Sequence, residues 1–241
     1  YHKLLCNVSK FIIYHVPGVK FAYENLSGEK FEKPAVIICN HQSHLDLMCL
    51  MMLTPRMVIL TNDWVWNNPF YGMIIKHAEF YPVSDGIDAN LMRLKDLTDR
   101  GYSVVVFPEG TRSEDCSIQR FHRGAFYLAE KLQLDILPIF IHGVGHILPK
   151  KDFMLRKGSI FMQIGHRVLP DDINFGNDFK QKTSGFHKFY QGQYEKICRL
   201  KENTAYYLPY VNYKYMYKGA SIESHCRKIL KQSPSFKQYI E

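Results

Sequence analysis

Apolar residues along the chain recur in two patterns, short β-branched runs and longer stretches with helical spacing. The runs at 35–39 and 103–107 are almost wholly apolar, which is typical of strands buried on both faces of a sheet. Similar runs predict further strands at 19–23, 57–60, 80–83, 136–142 and 159–164. Helical spacing predicts helices at 2–16, 45–53, 87–99, 123–133 and 178–202. Because strands and helices alternate, the expected fold is α/β, with a mostly parallel or mixed central sheet flanked by helices.

The character of the sequence changes near residue 175. Residues 1–175 hold the alternating elements and are predicted to form one domain that begins with an amphipathic N-terminal helix at 1–17. We favour packing of that helix on the domain over a position in a membrane surface, because only Lys3 and Lys10 decorate its polar face. Residues 176–241 are rich in Tyr and Lys and are predicted to be a helical extension or a linker to a further domain. Their tyrosines at 206–217 are expected to pack against the sheet rather than form an interfacial belt.

Composition narrows the partners and the compartment. The formal charge of +8 and the pI near 9.1 favour anionic partners. Nucleic acid is not expected, because the chain has neither zinc-finger spacing nor basic residues alternating with stacking aromatics near its motifs. The six cysteines are scattered, which indicates reduced thiols in the cytosol. No apolar stretch approaches the ~20 residues of a membrane span, and no signal peptide is expected. The start at Tyr1 suggests a piece of a longer protein.

The first chemistry-bearing run, Asn40–Asp46, follows the strand predicted at 35–39. On a regular helix, residues five apart point ~140° away from each other, so His41 and Asp46 need a turn between them to meet. Ser43 supplies an N-cap, and its spacing to Asp46 is that of a capping box. Asp46 in the first helical turn then reaches a His41 placed on the loop. The pair suits a general base with an orienting carboxylate; the plain alternative is a capping carboxylate beside a loop histidine.

The second run, Pro108–Ser113, follows the strand predicted at 103–107, at the edge where α/β sheets bind ligands. Gly110 permits close backbone approach, Thr111 offers a hydroxyl and Arg112 offers a forked cation for a phosphate. Glu109 beside this arginine is either part of that site or half of a salt-bridged turn. Further basic residues downstream extend a rim toward a phosphorylated carrier or form a solvated loop: Arg120, His122 and Arg123.

Two other classes of function compete with general-base catalysis by the His41–Asp46 pair. A metal-dependent hydrolase would use His41, His44 and Asp46, with His142 and His146 as a further pair. The two glycines between His142 and His146 argue against a rigid helix, so a metal site is less favoured than general-base catalysis. The other competitor is a non-catalytic lipid-binding or scaffolding domain of the same fold.

In this order the two runs resemble the lysophospholipid/glycerophosphate acyltransferase family. Its catalytic block, a His and an Asp separated by four residues, is matched at His41 and Asp46. Its acceptor-binding block, Phe-Pro-Glu-Gly-Thr-Arg, is matched without a gap at Phe107–Arg112. The segment 137–140 is similar to the fourth block, an apolar-proline strand near the acyl site, and 121–125 is similar to the segment after the third block. The resemblance covers about residues 10–170.

The resemblance implies an acyltransferase with a glycerophosphate-acyltransferase-like fold and its catalytic domain at 1–175. It implies transfer of a fatty acyl group from acyl-CoA or acyl-carrier protein to a hydroxyl, or an amine, of a lysophospholipid or other lipid acceptor. His41 is the implied general base and Asp46 its partner. The implied substrate-binding residues are Glu109, Gly110, Thr111, Arg112, Arg123 and Pro138. Neither a cofactor nor a metal is expected.

One block departs from the family pattern. Where the family has an arginine credited with gripping the acceptor's phosphate, this chain has Asp85 at or beside that place. A carboxylate there repels phosphate, which argues against lysophosphatidate and glycerol 3-phosphate unless Arg93 or Lys95 substitutes. A long acyl chain also needs an apolar groove that faces a membrane or a carrier protein. Because basic residues favour an anionic leaflet, we expect a cytoplasmic protein, peripheral on the inner face of the membrane.

Overall fold

The chain folds around a sheet whose described part has seven strands. The computed structural model describes residues 1–61, 81–82, 87–170, 172–211 and 221–232. The strands are β1 (Val19–Asn25), β2 (Ala35–Cys39), β3 (Met57–Thr61), β4 (Tyr81–Pro82), β5 (Ser103–Val106), β6 (Asp135–His142) and β7 (Gly158–Ile164). Their spatial order is β1-β7-β6-β2-β5-β3-β4, which places β2, β5 and β6 in the interior of the sheet.

The sheet is mixed. β4, β3, β5, β2 and β6 are parallel to one another, β7 is antiparallel to β6, and β1 is parallel to β7. In the centre, Ile37 of β2 pairs with Val105 of β5 on one side and with Leu137 of β6 on the other. All three side chains are fully buried, as expected for parallel strands covered on both faces. The predicted mixed α/β fold is therefore confirmed.

Helices pack on the sheet and on one another. α1 (His2–His15) packs on α2 (Leu45–Met51) and on β1. α3 (Ile87–Asp99) contacts α4 (Gly124–Leu132), which in turn contacts α6 (Phe179–Lys201), and all three pack on interior strands; the short α5 (Val144–Ile147) lies on β7. α7 (Thr204–Val211) and α8 (Ser221–Gln232) pack together. No helix in the described ranges has the length and apolar character of a membrane span.

The segment after residue 175 is helical, as predicted, but it is not separate from the main core. Phe186, Tyr190, Tyr194 and Ile197 of α6 are buried in the same apolar cluster as the sheet. A second, smaller cluster joins α7 and α8 to Cys116. The predicted boundary at 175 therefore cuts through the main hydrophobic core.

Tyrosines of the C-terminal segment pack inward, in agreement with the expectation of packing rather than a belt. Tyr207 and Tyr210 of α7 are buried. Tyr213, Tyr215 and Tyr217 lie outside the described residues.

The N-terminal helix packs on the domain with one face only. Ser9 and Ile13 are buried, whereas the opposite face exposes apolar side chains at Leu4, Val8, Phe11 and Tyr14. One face of the helix therefore packs on the domain, as expected, whereas its other face is apolar and exposed.

Candidate active site

The two chemistry-bearing runs meet at one edge of the sheet. β2 ends at Cys39 and continues toward His41, and its parallel neighbour β5 ends at Val106 and continues into the turn at 107–110. Carboxyl ends of neighbouring parallel strands lie at the same edge. A backbone hydrogen bond from the Ser113 amide to the His41 carbonyl oxygen, 2.8 Å long, joins the two loops directly.

His41 and Asp46 are paired. Nδ1 of His41 donates to Oδ2 of Asp46 over 2.9 Å, and the same oxygen accepts the amides of Gln42 and Ser43 over 2.7 and 2.8 Å. The Asp46 side chain is fully buried, whereas that of His41 remains 18% exposed. With its proton on Nδ1, the imidazole presents the lone pair of Nε2 away from the carboxylate, as a general base requires.

The turn between the pair differs in detail from the predicted capping box. α2 begins at Leu45, and its N-cap is His44 rather than Ser43. Half of the box is present, because Asp46 accepts the Ser43 amide. The Ser43 hydroxyl accepts the amide of Leu45 over 3.2 Å and donates to the carbonyl of Leu148. It therefore anchors the turn to a distant loop, which local spacing could not reveal.

A layer beneath the pair holds the loop in place. The Asn40 side chain donates from Nδ2 to the Ile141 carbonyl and accepts the Ile141 amide through Oδ1, at 2.8 and 2.9 Å. The Tyr190 hydroxyl accepts the Asn40 amide over 2.9 Å. Gln42 donates from Nε2 to the Tyr194 hydroxyl over 2.7 Å. Neither tyrosine was predicted from the sequence, where the local signal is their spacing of about one helical turn on α6.

Glu109 links the two loops. One carboxyl oxygen accepts the His41 amide over 2.8 Å and the other accepts the Gln119 amide over 2.7 Å. Burial raises the pKa of Glu109 to about 8, although the two hydrogen bonds lower it. Glu109 thus fixes the backbone of His41 rather than pairing with Arg112, and its role in binding substrate stays a prediction.

The residues after Glu109 continue the loop beside the His41–Asp46 pair. Gly110 adopts φ +68°, a left-handed conformation that favours glycine. Thr111 is exposed and accepts a hydrogen bond from Lys150 over 3.3 Å. Arg112 is half-buried near Asp46, and burial lowers the pKa of its guanidinium. Among the described residues it has neither a hydrogen bond nor an ion pair, so its donors are available to an anion.

The remaining predicted residues lie apart from this cluster. Arg123 is the N-cap of α4 and lines a cavity beside the turn at Gly110. Pro138 is buried inside β6, opposite Ile38 and against Gly165. The structure thus places Pro138 within the sheet, and its role in binding substrate stays a prediction. Asp85 lies outside the described residues, and Arg93 and Lys95 are exposed on α3.

The histidines of the metal hypothesis do not converge. Burial and the nearby Arg112 lower the pKa of His44 to about 4. Within the described ranges, the group with metal-compatible spacing is instead His142, Cys198 and Glu202, whose ligand atoms lie within 4.8 Å of one another. There, Nε2 of His142 donates to Glu202 over 2.7 Å. Burial raises the pKa of Glu202, but hydrogen bonds from His142 and Tyr207 outweigh it and hold the pKa at about 2. This network ties the end of α6 to the end of β6.

Comparison with known proteins identifies the family. A family model described as "Acyltransferase" matches residues 19–142, just over half of the 241 residues. The chain belongs to the acyltransferase family. The matched span of this acyltransferase-family chain contains both chemistry-bearing runs and ends with β6, so α6 lies beyond it.

Relatives of this acyltransferase-family chain include curated enzymes from algae and animals. A 1-acyl-sn-glycerol-3-phosphate acyltransferase of Chlamydomonas reinhardtii is 32% identical over 148 residues, which are 59% of this chain and 44% of that protein. The human 1-acyl-sn-glycerol-3-phosphate acyltransferase alpha is 33% identical over 154 residues, 58% of this chain and 54% of that protein. The chain thus spans about half the length of these relatives.

A solved structure shares the fold. The crystal structure of the 1-acyl-sn-glycerophosphate acyltransferase PlsC from Thermotoga maritima has a TM-score of 0.68 at 20% identity, over 81% of this chain and 79% of that chain. The expected glycerophosphate-acyltransferase-like architecture is confirmed by this likeness.

Proposed function

We propose that this domain transfers a fatty acyl group from a thioester, acyl-CoA or acyl-carrier protein, to a hydroxyl of a lysophospholipid acceptor. The observation that carries the proposal is the His41–Asp46 pair, with Nδ1 and Oδ2 2.9 Å apart, beside the turn that holds Arg112. Relatives named 1-acyl-sn-glycerol-3-phosphate acyltransferases support this reaction class and acceptor type.

The proposed reaction needs no covalent enzyme intermediate. The acceptor oxygen attacks the thioester carbonyl carbon while Nε2 of His41 takes its proton. Asp46 holds the ring and stabilises the imidazolium that forms. When the tetrahedral intermediate collapses, the carbon–sulfur bond breaks and the thiolate takes the proton from Nε2. The products are the acylated lipid and a free thiol, and His41 is restored.

The acceptor's position follows from the charges at the site. Arg112 is half-buried and, in the described part of the chain, keeps its donors free beside the catalytic pair. A forked guanidinium binds a phosphate through two parallel hydrogen bonds. We therefore assign Arg112 to the phosphate of the lysophospholipid, despite the carboxylate of Asp85 in the sequence.

An experiment on His41 tests the proposal. Thiol release from acyl-CoA or acyl-carrier protein, with lysophosphatidate as acceptor, should fall by about 10²–10⁴-fold in His41→Ala, the usual contribution of a general base. His166→Ala is the matched control, because this exposed histidine follows β7. Unchanged turnover in folded His41→Ala contradicts the assignment. A wild type that releases no thiol with either donor favours the scaffold alternative.

Membrane attachment is part of the proposal, because the acceptor is a lipid. The loop at 153–155 exposes Phe153, Met154 and Leu155, and a buried ion pair between Asp152 and Arg156, 2.5 Å long, closes its base. Three adjacent exposed apolar side chains on a fixed loop suit insertion into a lipid surface.

The position of that loop relates it to the site. The segment that leads into it contacts the catalytic turn, because the Leu148 carbonyl accepts the Ser43 hydroxyl. The loop leads into β7, whose first residue, Gly158, donates its amide to the carbonyl of Gly18, between α1 and β1. Insertion of the loop would therefore bring the catalytic turn close to the bilayer.

Vesicle sedimentation tests this attachment. Phe153→Ser should reduce binding to anionic phospholipid vesicles by about tenfold. The phenyl ring is expected to be buried in the lipid on binding, and serine lacks the apolar surface whose burial stabilises the bound state. Met92→Ser is the control, because Met92 is an apolar side chain, 85% exposed, on α3. Equal effects of the two substitutions would contradict a specific role of the loop.

A further inference from the structure

A basic cavity lies beside the catalytic turn. Its volume is about 660 Å³, and its walls are the segment Arg120–Gly124, which leads into α4, and the first half of α6. The α6 wall contributes Lys180, Thr183, Ser184 and His187. Because the family match ends at residue 142, this wall is built by a segment outside the matched region.

The charge of the cavity is one-sided. Arg120, Arg123 and Lys180 are exposed cations, and the lining residues that fall in the described part of the chain include no carboxylate. Within the described residues, none of the three forms an ion pair or a side-chain hydrogen bond. Three unneutralised cations around one cavity strongly favour an anionic ligand.

The backbone adds to this charge. α4 begins at Gly124, and the side chain of its N-cap residue, Arg123, makes no capping hydrogen bond. The first amides of a helix have no intrahelical partners and carry the positive end of the helix dipole. Gly124 lines the cavity, so these amides supplement the arginines as phosphate donors.

The cavity adjoins the catalytic loop. A Cβ built on Gly110 would lie 3.3 Å from the ring of His122, which lines the cavity. The His122 amide donates to the Pro108 carbonyl over 2.7 Å. The next residue, Glu109, holds the backbone of His41. The turn at 108–110 therefore contacts both the cavity wall and the backbone of His41.

The size and charge of the cavity identify the ligand class. A volume of this order is typical of sites for small molecules and cofactors. Three cations and a helix N-terminus exceed what a single phosphate monoester needs, and they match a ligand with several phosphates. Among thioester donors, coenzyme A has such a group, because its non-reacting end is a nucleotide with three phosphates.

We propose that this cavity binds the phosphorylated nucleotide end of acyl-CoA, so that the thioester reaches His41 across the Gly110 turn. The assignment rests on the proposed acyl-transfer function and decides between its two donors. It gives Arg123, expected from the sequence to bind substrate, a defined ligand, and it adds Arg120 and Lys180.

Two measurements test the assignment with the full chain. The first is calorimetric binding of adenosine 3′,5′-bisphosphate, which contains the nucleotide and no thioester. The double variant Arg120→Gln/Arg123→Gln should weaken this binding by at least about tenfold, as expected for lost charge-assisted contacts. Lys180→Gln, on the opposite wall of the cavity, should also weaken binding of this nucleotide. Lys131→Gln is the matched control, because Lys131 is exposed at the far end of α4.

The second measurement compares donors with and without the nucleotide. In the double variant, KM for acyl-CoA should rise at least about tenfold more than KM for the S-acyl pantetheine of the same chain length. Equal rises for both donors indicate a structural effect and overturn the assignment. So does a wild type that fails to bind adenosine 3′,5′-bisphosphate. If thiol release is absent but the nucleotide binds in an arginine-dependent way, the site stands and the proposed reaction fails.

Discussion

Replacement of Asp46 by Asn separates its catalytic role from its structural one. Oδ2 of Asp46 accepts three hydrogen bonds, from Nδ1 of His41 and from the amides of Gln42 and Ser43. In the variant the two backbone amides require an oxygen, so the Asn carbonyl must occupy this position. The His41 tautomer is then preserved, and the main change is the loss of the negative charge.

The effect on stability is expected to be small. Three charge-assisted hydrogen bonds become neutral, a loss of about 1 kcal/mol each. The new NH₂ group takes the buried position of Oδ1, which has no hydrogen-bond partner in the described part of the chain, and this costs about 1–3 kcal/mol. Removing a buried carboxylate recovers several kcal/mol of desolvation. The free energy of unfolding should therefore change by less than about 2 kcal/mol.

The effect on turnover is expected to be large. A full charge about 4 Å from an imidazolium contributes about 4 kcal/mol at an effective dielectric constant of about 20. With the proton half transferred in the transition state, about 2 kcal/mol is lost, which is about 30-fold in rate. Full transfer raises the loss to about 1,000-fold. We therefore expect kcat of Asp46→Asn to fall by between about 30-fold and about 1,000-fold.

The assay is thiol release at saturating donor and acceptor, with urea unfolding measured on the same preparations. Asp172→Asn is the control, because the Asp172 side chain accepts the Asn174 amide at a short 3₁₀ turn remote in sequence from the site. A folded Asp46→Asn variant with a fall in kcat below about threefold would refute the reasoning. Asp46 would then be only a capping carboxylate.

Two further predictions concern a turn and a buried histidine. Gly110→Ala and Gly28→Ala replace glycines with φ of +68° and +65°, so each should lower the free energy of unfolding by about 1–2 kcal/mol. Only Gly110→Ala, whose Cβ meets the His122 ring, should also lower kcat, by about tenfold; equal kcat in the two variants would contradict a role for the turn. Burial and the neighbouring histidine lower the pKa of His146 to about 3. Because the unfolded chain binds this proton more readily, stability should fall as the pH drops from about 6.5 toward 3, by up to about 1.4 kcal/mol per pH unit. Urea titrations from pH 7 to 5 should show that the free energy of unfolding depends less steeply on pH in His146→Phe, but not in His166→Gln. An unchanged pH dependence in His146→Phe would contradict the lowered pKa of His146.

The elements that the sequence predicts well are those with strong local patterns. β2 and β5 are continuous β-branched runs, and their predicted bounds at 35–39 and 103–107 agree with the structure to within one residue. The His41–Asp46 contact was also predictable, because the Ser-x-x-Asp spacing requires a turn that brings the pair together. In these places the local pattern is strong enough to predict the element or the contact, although distant residues also hold the His41 turn in place.

Other features depend on contacts between distant parts of the chain. Asparagine is common in turns, yet the side chain of Asn40 forms hydrogen bonds with the backbone of Ile141, 101 positions away. Glu109 beside Arg112 suggests a local ion pair, but its carboxyl group instead spans the amides of two other loops. Such partners are set by the order of strands in the sheet, which periodicity does not encode.

The support of the catalytic loop argues against treating residues 1–175 as self-sufficient. α6 lies beyond the family match, yet its tyrosines bind directly to the residues on both sides of His41. Both tyrosines are buried in the main core, so the energy that packs α6 also fixes the catalytic turn. The same helix forms one wall of the basic cavity through Lys180 and its neighbours. A single helix thus couples the position of the imidazole to the wall proposed to bind the donor, and disturbing it should affect chemistry and donor binding together.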